Sequence, residues 1–152
     1  MKRALFAIVA VAVLVLALAA CGGPAAEEKT EIGTVAKWDY GEAEILDAEF
    51  LTAEDGTDII RVNFTFTNPT SEPIYFVSAF SIKAFQNGVE LDSRIDKDVN
   101  SEEGHDLIRE IMDGASLDVF RTFTLRDDSP VEVRVCTATA AEDLLAMQTF
   151  TP

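Results

Sequence analysis

Between Asp58 and Thr67 the chain alternates without a break, with Ile60, Val62, Phe64 and Phe66 on one side and Arg61, Asn63, Thr65 and Thr67 on the other. Successive side chains of an extended strand point to opposite faces, so this segment predicts a strand with one buried face and one wet face. No other stretch limits the possible folds as sharply, because a half-buried strand requires partner strands and an apolar layer opposite.

The flanking sequence supplies both. Asn68-Pro69-Thr70-Ser71-Glu72-Pro73 ends the strand with two prolines, and an extended run resumes over Ile74 to Phe85 with Phe80, Ile82 and Ala84 inward. Asn87-Gly88 stands between that run and Val89-Glu90-Leu91, which predicts a type I′ hairpin because both residues tolerate positive φ. Asp113-Gly114 opens a strand over Leu117 to Leu125, in which Val119, Phe123 and Leu125 are the buried set. Ser129-Pro130 turns the chain into Val131, Val133 and Val135, alternating with Glu132 and Arg134. Glu44 to Thr52 reads as the first strand and Leu144 to Thr151 as the last, although Ala140 to Met147 also fits a helical turn or two. Asp92 to Met112 is a crossover in which His105 to Met112 fits a short helix or an edge strand. About seven strands at this spacing predict an all-β antiparallel sandwich over residues 35–152.

What precedes residue 35 is not part of that core. Lys2 and Arg3 are followed by an uninterrupted apolar run, Ala4 to Ala20, and then by Cys21-Gly22-Gly23-Pro24. The run is short for a permanent span of roughly 20 residues and lacks a basic stop-transfer cluster, so residues 1–20 read as a cleaved signal peptide. Residues 21–34 are rich in Gly, Ala and Glu and read as a flexible tether. Leu18-Ala19-Ala20-Cys21 resembles the lipobox of bacterial lipoproteins, and that resemblance implies cleavage before Cys21 and lipid on its thiol. Each buried methylene contributes about 0.8 kcal/mol, so two or three acyl chains would hold the protein at the membrane, facing outside the cytoplasm.

Charge narrows the partners. Twelve Lys and Arg face 27 Asp and Glu; loss of Lys2 and Arg3 leaves ten basic residues against 27 acidic ones, a formal charge of −17. Duplex nucleic acid is excluded as a partner, since its binding needs clustered cations to displace counterions. Anionic headgroups would repel the domain, leaving neutral, cationic or metal-ion partners. With Cys21 committed to lipid, Cys136 stands alone and no internal disulfide can form.

Four blocks carry a further resemblance: Phe64-Thr65-Phe66-Thr67-Asn68, Ala84-Phe85-Gln86-Asn87-Gly88-Val89-Glu90-Leu91, Gly114-Ala115-Ser116 and Pro130-Val131-Glu132-Val133. In order and spacing they resemble a family of immunoglobulin-like lipoprotein domains of unknown function from Gram-positive bacteria, related to the immunoprotective extracellular sandwich. The resemblance spans nearly the whole domain. It implies a sandwich on a lipid anchor and brings no catalytic residue with it.

Catalytic chemistry finds little support. The single histidine, His105, sits in the acidic stretch Ser101 to Asp106, and Cys136 has only Arg134 nearby to activate a thiolate. Acid pairs are too many for any to be singled out as a glycosidase dyad. Copper carriage is disfavoured because Met112, Met147 and His105 are dispersed, and no Gly-rich loop links a strand to a helix. Asp96-Lys97-Asp98-Val99-Asn100 matches the opening of a calcium loop, but Ser101 replaces the turn glycine and Leu107 the bidentate glutamate. Only a non-standard loop with Asp92, Glu102, Glu103 and Asp106 would complete the shell. The sequence therefore predicts a non-enzymatic lipoprotein without cofactor, binding a partner at the cell surface; an auxiliary envelope subunit and a calcium-binding domain are the alternatives. Phe85 and Phe120 fall on the polar faces of their strands; for a lone ring the expectation is a cover of tether or crossover segments, with Trp38 or Tyr40 as candidates, and an interface is the alternative.

The anchor is open to a direct test. Cys21→Ser should abolish incorporation of labelled fatty acid and leave the precursor uncleaved or released unlipidated; undiminished labelling would remove the anchor assignment.

Overall fold

The computed structural model describes residues 32–94, 106–139 and 142–152. These residues form two antiparallel sheets packed as a sandwich. In chain order the strands are β1 (Val35–Trp38), β2 (Gly41–Thr52), β3 (Asp58–Thr67), β4 (Phe80–Gln86), β5 (Val89–Glu90), β6 (Ser93–Arg94), β7 (Ser116–Thr124), β8 (Val131–Thr137) and β9 (Leu144–Phe150), with one helical turn, α1 (Phe76–Ala79), before β4. The first sheet runs β1-β2-β3-β7-β6 and the second β5-β4-β8-β9.

The alternation of β3 places its residues as expected. Ile60, Val62, Phe64 and Phe66 are fully buried against Val119 and Phe123 of β7 and against Val131, Val133 and Val135 of the second sheet. On the outer face the same strand is held by polar cross-strand pairs. Thr65 Oγ1 donates to Asp118 at 2.7 Å, Asn63 Nδ2 to Asp47 at 2.6 Å, and the Thr67 and Ser116 hydroxyls lie 2.8 Å apart. Pairs of this kind each contribute roughly 0.2–1 kcal/mol, whereas full burial of a Phe or Val contributes about 1.5–3 kcal/mol, so the inner face dominates stability.

The seven strands expected are present, and three local features differ from the reading of the sequence. Two further short strands, β1 and β6, extend the first sheet. In β2 the register shifts between Ile45 and Ala48, so the inward set passes from Ala43 and Ile45 to Ala48 and Phe50 with two residues between, Leu46 and Asp47. Ile74 to Phe85 is not one strand. Ile74 makes an isolated bridge to Ile111, and Phe76 and Ala79 are then buried at the i, i+3 spacing of the turn α1. Of the two readings held for the last segment, the strand is observed, as β9. Of the crossover, Ser93 and Arg94 form β6, Asp106 and Leu107 are helical, and residues 95–105 lie outside the described ones.

Asn87 and Gly88 both have positive φ, 52° and 77°, as the hairpin requires. Gly41 is needed for a different reason: a Cβ there would stand 2.6 Å from a Phe66 ring carbon and 2.9 Å from one of Phe80. Those rings belong to a cluster of Phe64, Phe66, Phe76 and Phe80 with centroids 5.6–6.0 Å apart. The cluster fills the core where β3 ends and β4 begins.

Val62→Asp and Phe64→Asp should abolish cooperative folding, because an uncompensated buried charge costs several kcal/mol, comparable with total stability. Asn63→Ser and Thr65→Ser should lower the melting midpoint by only a few degrees. Equal shifts across the four, measured by circular dichroism, would contradict the face assignment.

Candidate functional site

At the end of the sandwich where the Phe cluster sits, three connections converge, the β1–β2 turn, the β3–α1 loop and the chain leaving β8, while the segment leading into β7 is bonded to the β3–α1 loop. Between them lies a cleft of about 480 Å³, within the range typical of small-ligand sites. Trp38 and Tyr40 form one wall, with ring centroids 4.9 Å apart and planes inclined at 63°. Pro73, Ile74 and Ala138 supply aliphatic surface, while Thr70, Glu72, Ser78 and Thr139 place polar groups at its margin. Tyr40 is 54% exposed, and Tyr75, Val77, Ile108 and Met112 add exposed apolar surface at the same end.

The loop wall is rigid because of Asn68, whose side chain is wholly buried. Its Nδ2 donates to the carbonyls of Glu72 and Ile111, both at 2.8 Å, and its Oδ1 accepts from the Thr70 N–H at 2.8 Å. The Thr70 hydroxyl lies 2.8 Å from both Asn68 Oδ1 and the Glu72 carbonyl and donates to one of them. Asn68 also exchanges backbone bonds with Gly114 and Ala115. One amide thus ties residues 68–73 to residues 111–115. Above this wall Tyr75 donates its hydroxyl to Glu110 at 2.8 Å, and that bond to a carboxylate pushes the phenol above its ordinary pKa.

The opposite end of the sandwich is polar. The side-chain hydroxyls of Thr57 and Ser129, and after them the backbone N–H groups of the same residues, bond to Asp55 and Asp127 and hold both carboxyls below their usual range.

The residues singled out from the sequence are spread over the molecule. Phe85 and Phe120 do turn outward, but from different sheets, so they lie on opposite faces of the sandwich and do not form one patch. Each is half-buried beneath an arginine: the Arg134 guanidinium carbon sits 4.5 Å from the Phe85 centroid and that of Arg61 sits 5.4 Å from the Phe120 centroid. Arginines therefore cover the rings; Trp38 and Tyr40 stack on each other instead. Cys136 is buried, and burial pushes its thiol above the ordinary value despite Lys83 nearby. Asp106 is paired with Arg109 at 3.0 Å. Met112 is exposed, and Met147 lies on β9 with its N–H bonded to the Gly33 carbonyl. Among the described residues no three His, Cys, Asp or Glu side chains gather closely enough to hold a metal ion. Cys21, the Asp96 to Asn100 stretch, Glu102, Glu103 and His105 lie outside the described residues.

Comparison with known proteins decides the family. The model of DUF5067, a domain of unknown function, matches residues 23–136. The chain belongs to the DUF5067 family. A candidate lipoprotein from Staphylococcus aureus is similar in structure with a TM-score of 0.61 at 13% identity, covering 78% of this chain and 88% of that one. A candidate lipoprotein from Bacillus subtilis gives 0.56 at 15% identity over 80% of this chain and 39% of that one. A protein from Enterococcus faecalis gives 0.56 at 16% identity over 81% and 95%. At such identities the likeness shows the fold. A search of curated proteins found no match. Among the described residues no helix is long and apolar enough to cross a membrane.

Asn68→Ala should destabilise the domain by about 2–4 kcal/mol, since buried carbonyls and an N–H lose their partner, lowering the midpoint by on the order of 10 °C. Thr70→Ala, which removes one shared hydroxyl, should cost less than half as much. A thermal melt in which Asn68→Ala matches the native midpoint would show that the loop is held by other contacts.

Proposed function

We propose that this protein is a lipid-anchored surface lipoprotein that binds its partner, without catalysis, in the cleft between the β1–β2 turn and the β3–α1 loop. The cleft's construction carries this reading: an aromatic pair on the β1–β2 turn faces a loop of aliphatic side chains that a buried amide with wholly internal bonds holds in place. Apolar surface that is exposed yet rigidly supported is costly to display and is characteristic of recognition sites. Sequence and family agree with the anchor. The lipobox-like Leu18-Ala19-Ala20-Cys21 precedes the domain, and two structural neighbours are candidate lipoproteins. In this reading residues 1–20 are removed, Cys21 carries the lipid, residues 21–34 form the tether, and residues 35–152 are an immunoglobulin-like carrier facing outside the cell membrane.

The non-catalytic part of the reading draws on the chemistry of the cleft. The described residues of its lining offer no nucleophile paired with a base, and Cys136 is buried in sheet two with a raised pKa. The loops on a rigid sandwich serve here as the recognition surface, as loops on rigid scaffolds commonly do.

Photo-crosslinking on intact cells tests the site. A photoreactive residue in place of Tyr40 should yield adducts that Trp38→Ala reduces at least severalfold, whereas the same residue in place of Asp128, at the polar end, should yield few. Equal adduct yields from the two ends, indifferent to Trp38→Ala, would count against the cleft as the binding surface.

A further inference from the structure

The cleft can be read for the charge of what it takes, and this step rests on the binding role just proposed. Most of its hydrogen-bond donors are spent, although the exposed Tyr40 hydroxyl is open to solvent and can donate. The backbone N–H of Thr70 bonds to Asn68 Oδ1, and those of Ile74, Ser78 and Ala138 bond to the carbonyls of Ile111, Tyr75 and Ala79. The Glu72 N–H faces the Thr70 hydroxyl oxygen at 3.4 Å, and Pro73 has no N–H. The Thr70 and Ser78 hydroxyls donate to internal acceptors, the latter to the Tyr75 carbonyl at 2.8 Å. The Trp38 Nε1 is buried, so the Trp38 side chain can offer the cleft only ring carbon.

What remains on the lining is of one sign. Two aromatic rings inclined to each other form a corner, hydroxyl oxygens keep free lone pairs, and Glu72 is the only formally charged residue among the described ones that line the cleft. Among the described residues no Lys, Arg or His lines it. Anions and acceptor-rich ligands would find almost nothing to donate to them there. A positive group with apolar substituents is attracted by ring faces and carboxylate together, and its loss of water is small. The mature chain's ten basic residues against 27 acidic ones add a long-range field of the same sense.

We infer that the cleft binds an organic cation, an alkylated or quaternary ammonium group seated against Trp38 and Tyr40 with Glu72 as its counter-charge. The volume leaves room for a substituent on the nitrogen, so the group can belong to a small molecule or end a longer chain. A lysine side chain would share the charge but carry more tightly held water.

Trp38 is the chain's single tryptophan, which makes its emission a direct reporter. The full lipidated protein in maltoside micelles is titrated with choline, with its neutral isostere 3,3-dimethylbutan-1-ol, and with Nα-acetyl-lysine amide. Choline should change the emission saturably and bind roughly tenfold more tightly than the isostere. Glu72→Gln should weaken choline severalfold and leave the isostere unaffected, while Glu54→Gln, an equal change of net charge at the other end, should alter neither. Lysine amide binding on a par with choline would overturn the alkylated-ammonium assignment, because a primary ammonium with its tightly held water should bind more weakly. Equal binding of choline and isostere, or a loss for Glu72→Gln no larger than for Glu54→Gln, would overturn the inference yet leave the cleft a binding site. Silence from all three probes would overturn it too, and crosslinking from Tyr40 would then decide the proposed function separately.

Discussion

The side-chain amide of Asn68 fixes the end of the molecule on which the functional reading depends. It stands one residue beyond β3, where the last inward phenylalanine of that strand, Phe66, still belongs to the core. Burial without partners would cost an amide several kcal/mol, but here each of its polar atoms meets a backbone group. The loop and the segment before β7 share one bonding centre, so the cleft wall cannot move without breaking several buried hydrogen bonds. An aspartate at this position would turn an oxygen toward two carbonyls, and a leucine would satisfy none of them.

Packing beneath the wall explains why the aromatic pair stands where it does. Phe66 and Phe80 approach Gly41 so closely that any side chain there would displace a ring. Gly41 lets the β1–β2 hairpin settle directly on the aromatic cluster, which carries Trp38 and Tyr40 over the core to the side of the β3–α1 loop. The turn α1 contributes from below, since Phe76 and Ala79 are buried while Ser78 reaches the cleft margin. Core and cleft are thus built from the same residues on successive layers.

Much of the sandwich was legible because its strands are half-buried, and half-burial writes itself as alternation. β3 is the clearest case, and Asn87-Gly88 marks its hairpin by backbone tolerance alone. The signal failed where geometry departs from period two. The bulge in β2 puts two residues between inward Ile45 and Ala48, and α1 hides in an apolar run whose i, i+3 spacing is too short to stand out. β1 has only Ala36 buried, so nothing in its composition separates it from the tether. The cleft was less legible still. Its walls come from residues 38–40, 70–78 and 138–139, and no local pattern joins them. Asn-Pro-Thr-Ser-Glu-Pro was readable as a strand breaker, whereas the role of its first residue depends on Ile111, which is 43 positions away.

Under the proposed binding role, the placement of the two aromatic classes separates recognition from structure. Phe85 and Phe120 lie on outer sheet faces, yet each is already engaged by an arginine whose charge is in turn balanced, Arg134 by Glu132 and Arg61 by Glu49. The outer face of the first sheet closes on itself further through Thr65 with Asp118 and Thr67 with Ser116. A partner docking on such a face would have to replace bonds of equal strength, which leaves little net gain. The end cleft differs in kind. Its hydrogen bonds point inward to hold its walls, its two rings meet edge to face without a covering arginine, and its charge is unopposed among the described residues that line it. Contact there would displace water from apolar surface without breaking a protein bond, and that asymmetry is the physical reason to place recognition at the loops and stability at the sheets.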